Sequence, residues 1–343
     1  MRVLVTGATG FTGGRLAEML LEQGDEVVAL ARKDSRKDKL IAAGAEIVTG
    51  DIRSKDDVMR AAEGCEVIYH IAALYRSAKH PDSVYHDINV GGTENVLLAA
   101  RKLGTGRVVH CSTVGVHGKV TKKPVDENAP HAPGDIYQRT KLEGELLAKA
   151  EAEKGLPVSI VRPAGIYGPG DLRFLKLFRM IQTGRFRMIG TGDVVYHFTF
   201  VDDLCRGFMT CATHPDAVNQ QFIICGKDYH PISEVAEIVS ECVDTPLKRG
   251  HVPVWPVMTA SHLCEILCKP FGIEPPLHRR RLDFFIKDRA FTGAKAKEIL
   301  GYEAEIPLST GFRRTARWYY QEGLLEGKAP ESLASAALAT QNV

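Results

Sequence analysis

The sequence predicts an α/β protein with a doubly wound parallel sheet and a smaller mixed C-terminal region. Three observations support this class. Short apolar runs alternate with longer helical segments through residue 162, the first run ends in a glycine-rich turn, and prolines and glycines cluster after Arg162. Alternating strands and helices are typical of a parallel sheet covered on both faces. The predicted strands are Arg2–Thr6, Glu26–Leu30, Glu46–Val48, Val67–His70, Arg107–Cys111 and Pro157–Val161.

The change in composition after Arg162 divides the chain. We expect the sheet domain at residues 1–165 and a substrate-binding region at residues 166–325, part of which returns to the first domain. The longest helical patterns are Ser83–Leu103 and Asp135–Lys154. Residues 326–343 are small and polar without periodicity, and we expect a disordered tail there.

Composition and charge exclude several classes of protein. Lys+Arg 44 against Asp+Glu 42 leaves a net charge of +2, so no nucleic-acid partner is expected. Eight cysteines without a C-x-x-C pair indicate reduced thiols, and the histidine spacing predicts no metal site. The first strand begins at residue 2, which leaves no room for a signal peptide, and no apolar run reaches the ~18–20 residues of a membrane span. We therefore expect a cytoplasmic protein.

The first predicted strand leads into a turn with three regularly spaced glycines, Gly7-x-x-Gly10-x-x-Gly13, and then into a helical pattern. Glycines allow positive φ and close backbone approach, and free N–H groups at a helix start attract an anion. This context predicts a Rossmann-type dinucleotide site, although a tight turn whose glycines serve only packing has the same pattern. The candidate cofactor-binding residues are Gly7, Thr9, Gly10, Phe11, Thr12 and Gly13.

The ends of the next strands carry further candidate cofactor contacts. The second strand ends without an acid and is followed by Arg32, which suits a 2′-phosphate. NADP(H) is therefore preferred and NAD(H) remains an alternative, as does a solvated basic loop. Asp51-Ile52 follow the third strand, where Asp51 either accepts from the adenine amino group or caps the next helix. The small pair Ala72-Ala73 permits close packing against the cofactor ribose.

A possible acid/base pair lies on the second long helical pattern. Tyr137 and Lys141 are four residues apart and hence on one face. An ammonium ~4–5 Å from the phenol is expected to lower its pKa by about two to three units. The fifth strand delivers Ser112-Thr113 to the carboxyl edge of the sheet, where a hydroxyl can hold a substrate oxygen. A hydroxyl at the end of a strand, together with a tyrosine and a lysine on one helix face, indicates proton transfer coupled to the chemistry of a bound dinucleotide.

In these motifs the chain resembles the extended (atypical) short-chain dehydrogenases/reductases of the NAD-dependent epimerase/dehydratase type. The resemblance extends from residue 1 to about residue 323 and rests on six segments. These are Thr6–Gly13, Asn89-Val90-x-Gly92-Thr93, Cys111–Gly118, Tyr137-x-x-x-Lys141, Arg162–Asp171 and Phe198–Leu204.

This resemblance implies roles for individual residues. Thr113, Tyr137 and Lys141 correspond to the family's catalytic set, and Asn89 to an asparagine that stabilises the active-site architecture. Pro163 and Ile166 are then expected beside the cofactor. In the family, the two long helices pair into a four-helix dimer interface, so a homodimer is expected. The candidate substrate contacts beside these motifs are Leu74, Val114, His117, Gly165, Arg173 and His197.

The resemblance leaves the reaction open. Val114-Gly115 follow Thr113 where family dehydratases carry an acid pair, which argues against dehydration. We favour hydride transfer to or from a secondary alcohol or ketone, because Arg162–Asp171 resembles the 3β-hydroxysteroid dehydrogenase and dihydroflavonol-reductase-like branch. The substrate expected is then a small steroid-, flavonol- or oxoacyl-like molecule, over which the apolar segment Val252–Leu277 either closes or forms ordinary core.

Two alternatives remain. A nucleotide-sugar epimerase would oxidise its substrate only transiently and would need a clamp for a diphosphate. Five basic residues either supply that clamp or form a solvated helix face: Arg173, Lys176, Arg179, Arg185 and Arg187. A non-catalytic dinucleotide sensor would have no use for the intact proton-transfer set.

Overall fold

The computed structural model describes residues 1–76, 80–120, 122–248, 250–268 and 279–335. Its strands, β1 to β12, are Arg2–Thr6, Glu26–Ala31, Glu46–Thr49, Val67–His70, Arg107–Cys111, Val158–Pro163, Gly165–Tyr167, Met188–Ile189, Val195–Phe200, Gln221–Ile224, Tyr229–Pro231 and His251–Val252. Its helices, α1 to α14, are Phe11–Glu22, Asp38–Ala42, Lys55–Ala62, Asp82–His86, Gly92–Leu103, Ile136–Glu153, Leu175–Gln182, Val201–Thr213, Ile232–Cys242, Val254–Cys268, Arg279–Ile286, Ala294–Leu300, Leu308–Gln321 and Glu331–Ser335.

The main sheet has seven strands in the order β10-β6-β5-β4-β1-β2-β3, and every pairing in it is parallel. This confirms the predicted fold class. The strand order reverses between β1 and β4, which leaves a crevice at their carboxyl ends where open α/β sheets bind ligands. β10 joins the sheet beside β6, so the chain returns to the first domain after leaving it at β7.

Alternating side chains along the strands build a core on each face of the sheet. Val3 and Val5 pack with α1 and α8 on one face, and Leu4 between them packs with α3, α5 and α6 on the other. All three side chains are fully buried. Because both faces are covered, the strands are apolar along their whole length.

The smaller region forms around a second, mixed sheet in the order β11-β9-β7. Its core is aromatic, with the Tyr167 and Phe312 rings stacked at 4.7 Å between centroids and Phe178 and Phe198 beside them. Helices α7, α9 and α13 cover this core. Its strand β7 follows directly after β6 in the chain. The small sheet therefore begins at the carboxyl edge of the main sheet and forms a second wall there.

Three segments differ from the sequence expectation. The helix expected over Ser83–Leu103 contains a π-turn at Asp87–Gly91 between α4 and α5. The expected tail includes the short helix α14, where Leu333 is buried, while residues 336–343 lie outside the described part.

Helix α10 is the third difference. Residues 254–268 of the apolar segment Val252–Leu277 form this helix, and residues 269–278 lie outside the described ranges. Several of its apolar side chains are exposed rather than packed in a core, namely Trp255, Leu263, Ile266 and Leu267. Among the described helices, none combines the length and the apolar content needed to cross a bilayer.

A buried chain of hydrogen bonds joins β1, β4 and α5. The Thr6 hydroxyl lies 2.9 Å from His70 Nδ1, and His70 Nε2 lies 2.9 Å from the Thr93 hydroxyl. Thr93 donates its proton to the Asn89 carbonyl at 2.7 Å, so it must accept from His70 Nε2–H. Thr6 therefore donates to Nδ1, and its oxygen accepts from Ala72 N–H at 3.2 Å. One neutral tautomer of His70 satisfies every group in the chain.

The buried histidine makes stability depend on pH. Burial lowers the pKa of His70 to about 3, below the ~6.5 of an unfolded histidine. Between these two pKa values the histidine is protonated in the unfolded chain and neutral in the folded one. The contribution of His70 to the free energy of unfolding is therefore fully present above about pH 6.5 and is lost as the pH falls. We expect His70→Gln to flatten this dependence by up to about 1.4 kcal/mol per pH unit. Urea unfolding between pH 7 and pH 4.5 measures the slope, and parallel slopes would contradict the prediction.

The glycine turn gives a second stability prediction. A Cβ on Gly13 would lie 2.3 Å from the Gly7 carbonyl oxygen, which is backbone and cannot move aside without opening the turn. We expect Gly13→Ala to lower the free energy of unfolding by about 1–3 kcal/mol. Gly91→Ala is the matched control, because a Cβ there meets nothing within 4 Å and its φ is −58°. Equal effects of the two substitutions in thermal unfolding would refute this account.

Candidate functional site

A cleft of about 600 Å³ lies at the carboxyl ends of β1 and β4, where the strand order reverses. Its wall contains most of the residues predicted to bind a cofactor, together with Leu74 and Arg173 from the substrate set. The predicted residues that line it are Gly7, Thr9, Gly10, Phe11, Thr12, Gly13, Arg32, Asp51, Ile52, Ala72, Ala73, Leu74, Tyr137, Lys141, Ile166 and Arg173. Tertiary folding thus brings together segments that are far apart in the chain.

The glycine turn forms the floor of this cleft. Gly7 has φ +76°, and a Cβ there would lie 2.8 Å from Ala72 N, so both its conformation and its neighbour require glycine. Gly10 N–H donates to the Gly7 carbonyl at 2.9 Å and closes the turn. Helix α1 starts at Phe11 with no side-chain cap and no acid in its first turn. Its first N–H groups are therefore directed at the cleft as an anion site.

Arg32 and Asp51 also line the cleft, at the ends of β2 and β3. Asp51 accepts two hydrogen bonds from the Arg53 guanidinium, at 2.9 and 2.8 Å, which with a further contribution from Arg32 lowers the pKa of its carboxyl. The helix that follows is capped by Ser54, which accepts from Asp57 N–H. The alternative role of Asp51 as a helix cap is therefore wrong.

Asn89 lies outside the cleft, fully buried in the π-turn. Its carboxamide oxygen accepts from Leu74 N–H at 2.7 Å, and its nitrogen donates to the Leu74 carbonyl and to the Thr140 hydroxyl. The extra residue of the π-turn re-aims this side chain, as such turns often do near functional sites. Asn89 thus ties the cleft wall at Leu74 to the helix that carries Tyr137, and it touches neither cavity.

A smaller cavity of about 100 Å³ adjoins the cleft and contains the predicted hydroxyl groups. Thr113 lies directly after β5, and its Oγ accepts from Gly115 N–H at 3.1 Å, so its own proton remains available to donate. Ser112 also borders the cavity, but its hydroxyl donates to Glu145 at 2.7 Å. Of the two predicted hydroxyls, Thr113 is the one that can serve a ligand.

Tyr137 lies at the junction, lining both the cleft and the small cavity. Burial raises the pKa of Tyr137 above its usual value, while the guanidinium groups of Arg76 and Arg173 oppose this shift. The lower pKa expected for Tyr137 is therefore wrong, because burial outweighs the cations around the phenol. Lys141 is itself buried, which lowers the pKa of its ammonium, and Arg76 and Arg173 lie outside the Tyr137–Lys141 helix.

Behind the cavity, Glu145 and Arg162 form a fully buried ion pair at 2.6 Å. The pair lowers the pKa of the Glu145 carboxyl despite its burial. Arg162 also reaches His117 Nε2 at 3.1 Å and the Glu127 carbonyl at 2.9 Å. His117 therefore contributes to this support, and its prediction as a substrate contact is wrong: it lies outside both cavities, and burial with Arg162 nearby lowers its pKa to about 4.

The remaining predicted substrate residues do border the small cavity. Val114, Gly165 and Arg173 line it directly, and so does Pro163, a predicted cofactor contact that does not line the large cleft. His197 lines it too, but its ring is already engaged: Nε2 lies 2.8 Å from the Gly226 carbonyl, and Nδ1 accepts from Phe291 N–H. His197 therefore shapes the wall without offering a free nitrogen.

Sequence reasoning missed five further residues of the small cavity. Tyr75 and Arg76 come soon after Ala72-Ala73 in the loop that follows β4, so the strand-end rule would have found them if carried three residues farther. Tyr75 packs edge-on against Tyr137 at 5.0 Å, and Arg76 lies over the Tyr137 ring. The other three come from distant segments that no local pattern connects to the site. They are Tyr196, Arg289 and Phe291.

Comparison with known proteins agrees with this geometry. Sterol demethylase protein B of Methylococcus capsulatus is 39% identical to this chain and covers 95% of it and 100% of its own length. The 3beta-hydroxysteroid-dehydrogenase/decarboxylase isoform 1 of Arabidopsis thaliana is 30% identical, covering 91% of this chain and 78% of its own. A crystal structure of the dTDP-glucose 4,6-dehydratase DesIV from Streptomyces venezuelae, with NAD bound, matches at a TM-score of 0.75 and 26% identity over 95% of this chain and 100% of its own.

Residues 3–226 match the NAD dependent epimerase/dehydratase family. The matched range begins within β1 and ends just beyond β10. It therefore contains all seven strands of the main sheet and the residues at their carboxyl ends that line the cleft. The matched family is described as NAD dependent and the DesIV structure holds NAD, and the glycine turn and the cleft at the strand reversal are the features of this chain that fit such a cofactor. The chain belongs to the NAD dependent epimerase/dehydratase family and is an extended short-chain dehydrogenase/reductase.

Proposed function

We propose that the protein transfers a hydride between NAD(P) and a secondary alcohol or ketone carbon, with Tyr137 as the general acid/base. The observation that carries the proposal is the position of Tyr137 at the junction of the two cavities. A cofactor in the large cleft and a substrate in the small cavity would meet at its hydroxyl. The names of the Arabidopsis and Methylococcus relatives support a steroid-like or other apolar secondary alcohol as substrate.

Each residue of the site has a separate role in the proposed reaction. The bound nicotinamide supplies or accepts the hydride. Thr113 donates its hydroxyl proton to the substrate oxygen and holds it toward Tyr137, which moves the proton. Lys141 lines the cleft four residues beyond Tyr137 and is placed to reach the nicotinamide ribose. Glu145 and Arg162 keep the end of β5 in place, and Asn89 sets the distance between the cleft wall and the Tyr137 helix.

Arg32 supports NADP(H) over NAD(H). It lines the cleft just after β2, where the 2′ position of the adenine ribose is expected, and the structure gives it no side-chain hydrogen bond among the described residues. Asp51, an acid that lines the same cleft, is engaged by Arg53. A 2′-phosphate would give the Arg32 guanidinium a bidentate partner.

The epimerase alternative has weaker support in the substrate region. Of the five basic residues considered for a diphosphate clamp, Arg173 lines a cavity, and it is paired with Asp171 at 2.8 Å. Arg179 donates to the Leu324 carbonyl and Arg187 to backbone carbonyls of its own turn. The geometry thus favours net oxidation or reduction of a substrate without a diphosphate.

We also propose that the protein is a cytoplasmic homodimer. Family members pair the counterparts of α5 and α6, and Leu146 on α6 is 50% exposed in the single chain. In such a dimer the partner would cover this leucine.

The acid/base role is tested with Tyr137→Phe. Removing the hydroxyl leaves the cleft intact, so we expect unchanged cofactor affinity and turnover reduced ~10²–10⁴-fold. The measurement is reduced-nicotinamide absorbance in a screen of secondary alcohols and ketones. Tyr229→Phe, on the exposed strand β11, is the matched control. Normal turnover by Tyr137→Phe would exclude the assigned role, and a substrate change without net cofactor turnover would favour the epimerase.

Cofactor preference is tested with Arg32→Ala. Losing the guanidinium should reduce NADPH affinity ~10–100-fold and leave NADH affinity nearly unchanged, because NADH has no 2′-phosphate to pair with it. Fluorescence titration of both cofactors gives the two dissociation constants. Arg36→Ala serves as control, since Arg36 is exposed on the same loop but does not line the cleft. Tighter binding of NADH than NADPH by the native protein would overturn this preference.

A further inference from the structure

A second phenol lies at the junction that Tyr137 occupies. Five described residues line both the large cleft and the small cavity, and two of them, Tyr75 and Tyr137, carry a hydroxyl group. The two rings pack edge-on with their centroids 5.0 Å apart. The proposed reaction uses the hydroxyl of Tyr137 and leaves the hydroxyl of Tyr75 without a role.

The two phenols differ in their access to solvent. The side chain of Tyr75 is 44% exposed and lies in the loop that follows β4. Tyr137 on α6 is less exposed, and a cofactor in the cleft together with a substrate in the small cavity would cover it. A proton that moves from Tyr137 to Tyr75 therefore moves toward solvent.

The lysine side of Tyr137 does not provide a comparable path. Lys141 is 2% exposed, and the titratable groups near it include His70 and His110. Both nitrogens of His70 are engaged with threonine hydroxyls, and those of His110 have no hydrogen-bond partner among the described residues. Burial also lowers the pKa of both imidazoles, so neither readily accepts a proton.

Two arginines flank the ring of Tyr75. The guanidinium carbons of Arg76 and Arg173 lie 5.8 and 5.5 Å from its centroid. Arg76 follows Tyr75 in the same loop, and Arg173 comes from the loop before α7. Each guanidinium also pairs with a carboxylate at 2.8 Å, Arg76 with Asp135 and Arg173 with Asp171, so both are fixed in position.

These cations make the two phenols unequal acids. Burial by itself would raise the pKa of Tyr75, but the charges of Arg173 and Arg76 outweigh it and lower this pKa below its ordinary value. From α4, the uncharged Tyr85 donates its hydroxyl to the Tyr75 carbonyl at 3.4 Å. From α6, Tyr137 faces Tyr75 with a raised pKa, caused by burial and by Tyr75 itself. Tyr75 is therefore the stronger acid of the pair.

We propose that Tyr75 is a proton relay for Tyr137 and returns a proton to it during each reduction. This proposal rests on the proposed function and extends its proton path by one residue. The carbonyl carbon gains a hydride from the reduced nicotinamide, and the carbonyl oxygen takes the Tyr137 proton. The Tyr137 phenolate then takes the proton of Tyr75, directly or through one water molecule. The Tyr75 phenolate regains a proton from solvent, so each reduction consumes one solvent proton.

Returning this proton favours the forward reaction. A Tyr137 phenolate beside the new alcohol and the oxidised nicotinamide is the base that the reverse reaction needs. Because Tyr75 is the stronger acid, its proton passes to Tyr137 with a favourable free-energy change. Tyr75 acts only through Tyr137 and has no contact with the reacting carbon in this scheme.

The first test needs neither cofactor nor substrate. Phenolate absorbance in the near ultraviolet is followed as the pH is raised, for the native protein, Tyr75→Phe and Tyr229→Phe. One phenol of the native protein should ionise below the ~10 of a free tyrosine. That step should be absent in Tyr75→Phe and present in Tyr229→Phe, the control on the exposed strand β11. A titration of Tyr75→Phe that keeps the step overturns the proposal.

The second test measures reduction by NADPH of a ketone found in the screen. With one equivalent of NADPH, Tyr75→Phe should complete its first turnover at the native rate, because Tyr137 still carries its own proton. Continuous turnover should fall ~10–100-fold, with the KM for NADPH unchanged. Added imidazole should restore part of the loss, since a small acid can carry the proton from solvent. A purely structural defect would not respond to imidazole.

Two kinetic results contradict the relay. One is continuous turnover by Tyr75→Phe at the native rate, and the other is a first turnover slowed as much as in Tyr137→Phe. A loss that imidazole does not restore also excludes it. A failure of the Tyr137 assignment is a separate result, because it appears as normal turnover in Tyr137→Phe.

Discussion

The candidate site depends on a buried hydrogen-bond chain in which every donor has one acceptor. It runs from Ala72 N–H through Thr6, His70 and Thr93 to the Asn89 carbonyl. The Asn89 side chain continues it to the cleft wall and to the Tyr137 helix. Because buried polar groups are costly when unpaired, each member holds the next in place, and the glycine turn and the Tyr137 helix are positioned relative to each other.

A second polar unit, the Glu145–Arg162 pair, holds the site in place from the other side of β5. It anchors Ser112, which leaves the adjacent Thr113 hydroxyl available to a ligand. The two units together explain why a site with so many buried charges and histidines is compatible with a stable core. Their groups are paired with one another, whereas Arg289, at the small cavity, has no carboxylate within 4 Å among the described residues.

The electrostatics of Tyr137 illustrate how a site draws on distant segments. The spacing of Tyr137 and Lys141 predicts a lowered tyrosine pKa, whereas burial raises it in the folded chain. Lys141 is desolvated, and Arg76 and Arg173 supply positive charge that opposes the effect of burial. Arg76 comes from the loop after β4 and Arg173 from the loop before α7, so the charge around the Tyr137 hydroxyl comes from three separate parts of the chain.

The sequence alone determined the sheet, the glycine turn and the family, because periodicity, spacing and strand-end position are local signals. The same signals predict the Thr113–Tyr137–Lys141 set, and its catalytic role stays a prediction. Strands such as Arg2–Thr6 and Val67–His70 were predicted to the residue. Only the tertiary structure decided that His117 supports Arg162 instead of contacting substrate, that α10 is exposed, and that Arg289 reaches the small cavity. Those outcomes depend on contacts between segments more than forty residues apart, and no short-range pattern specifies which buried charges find a partner.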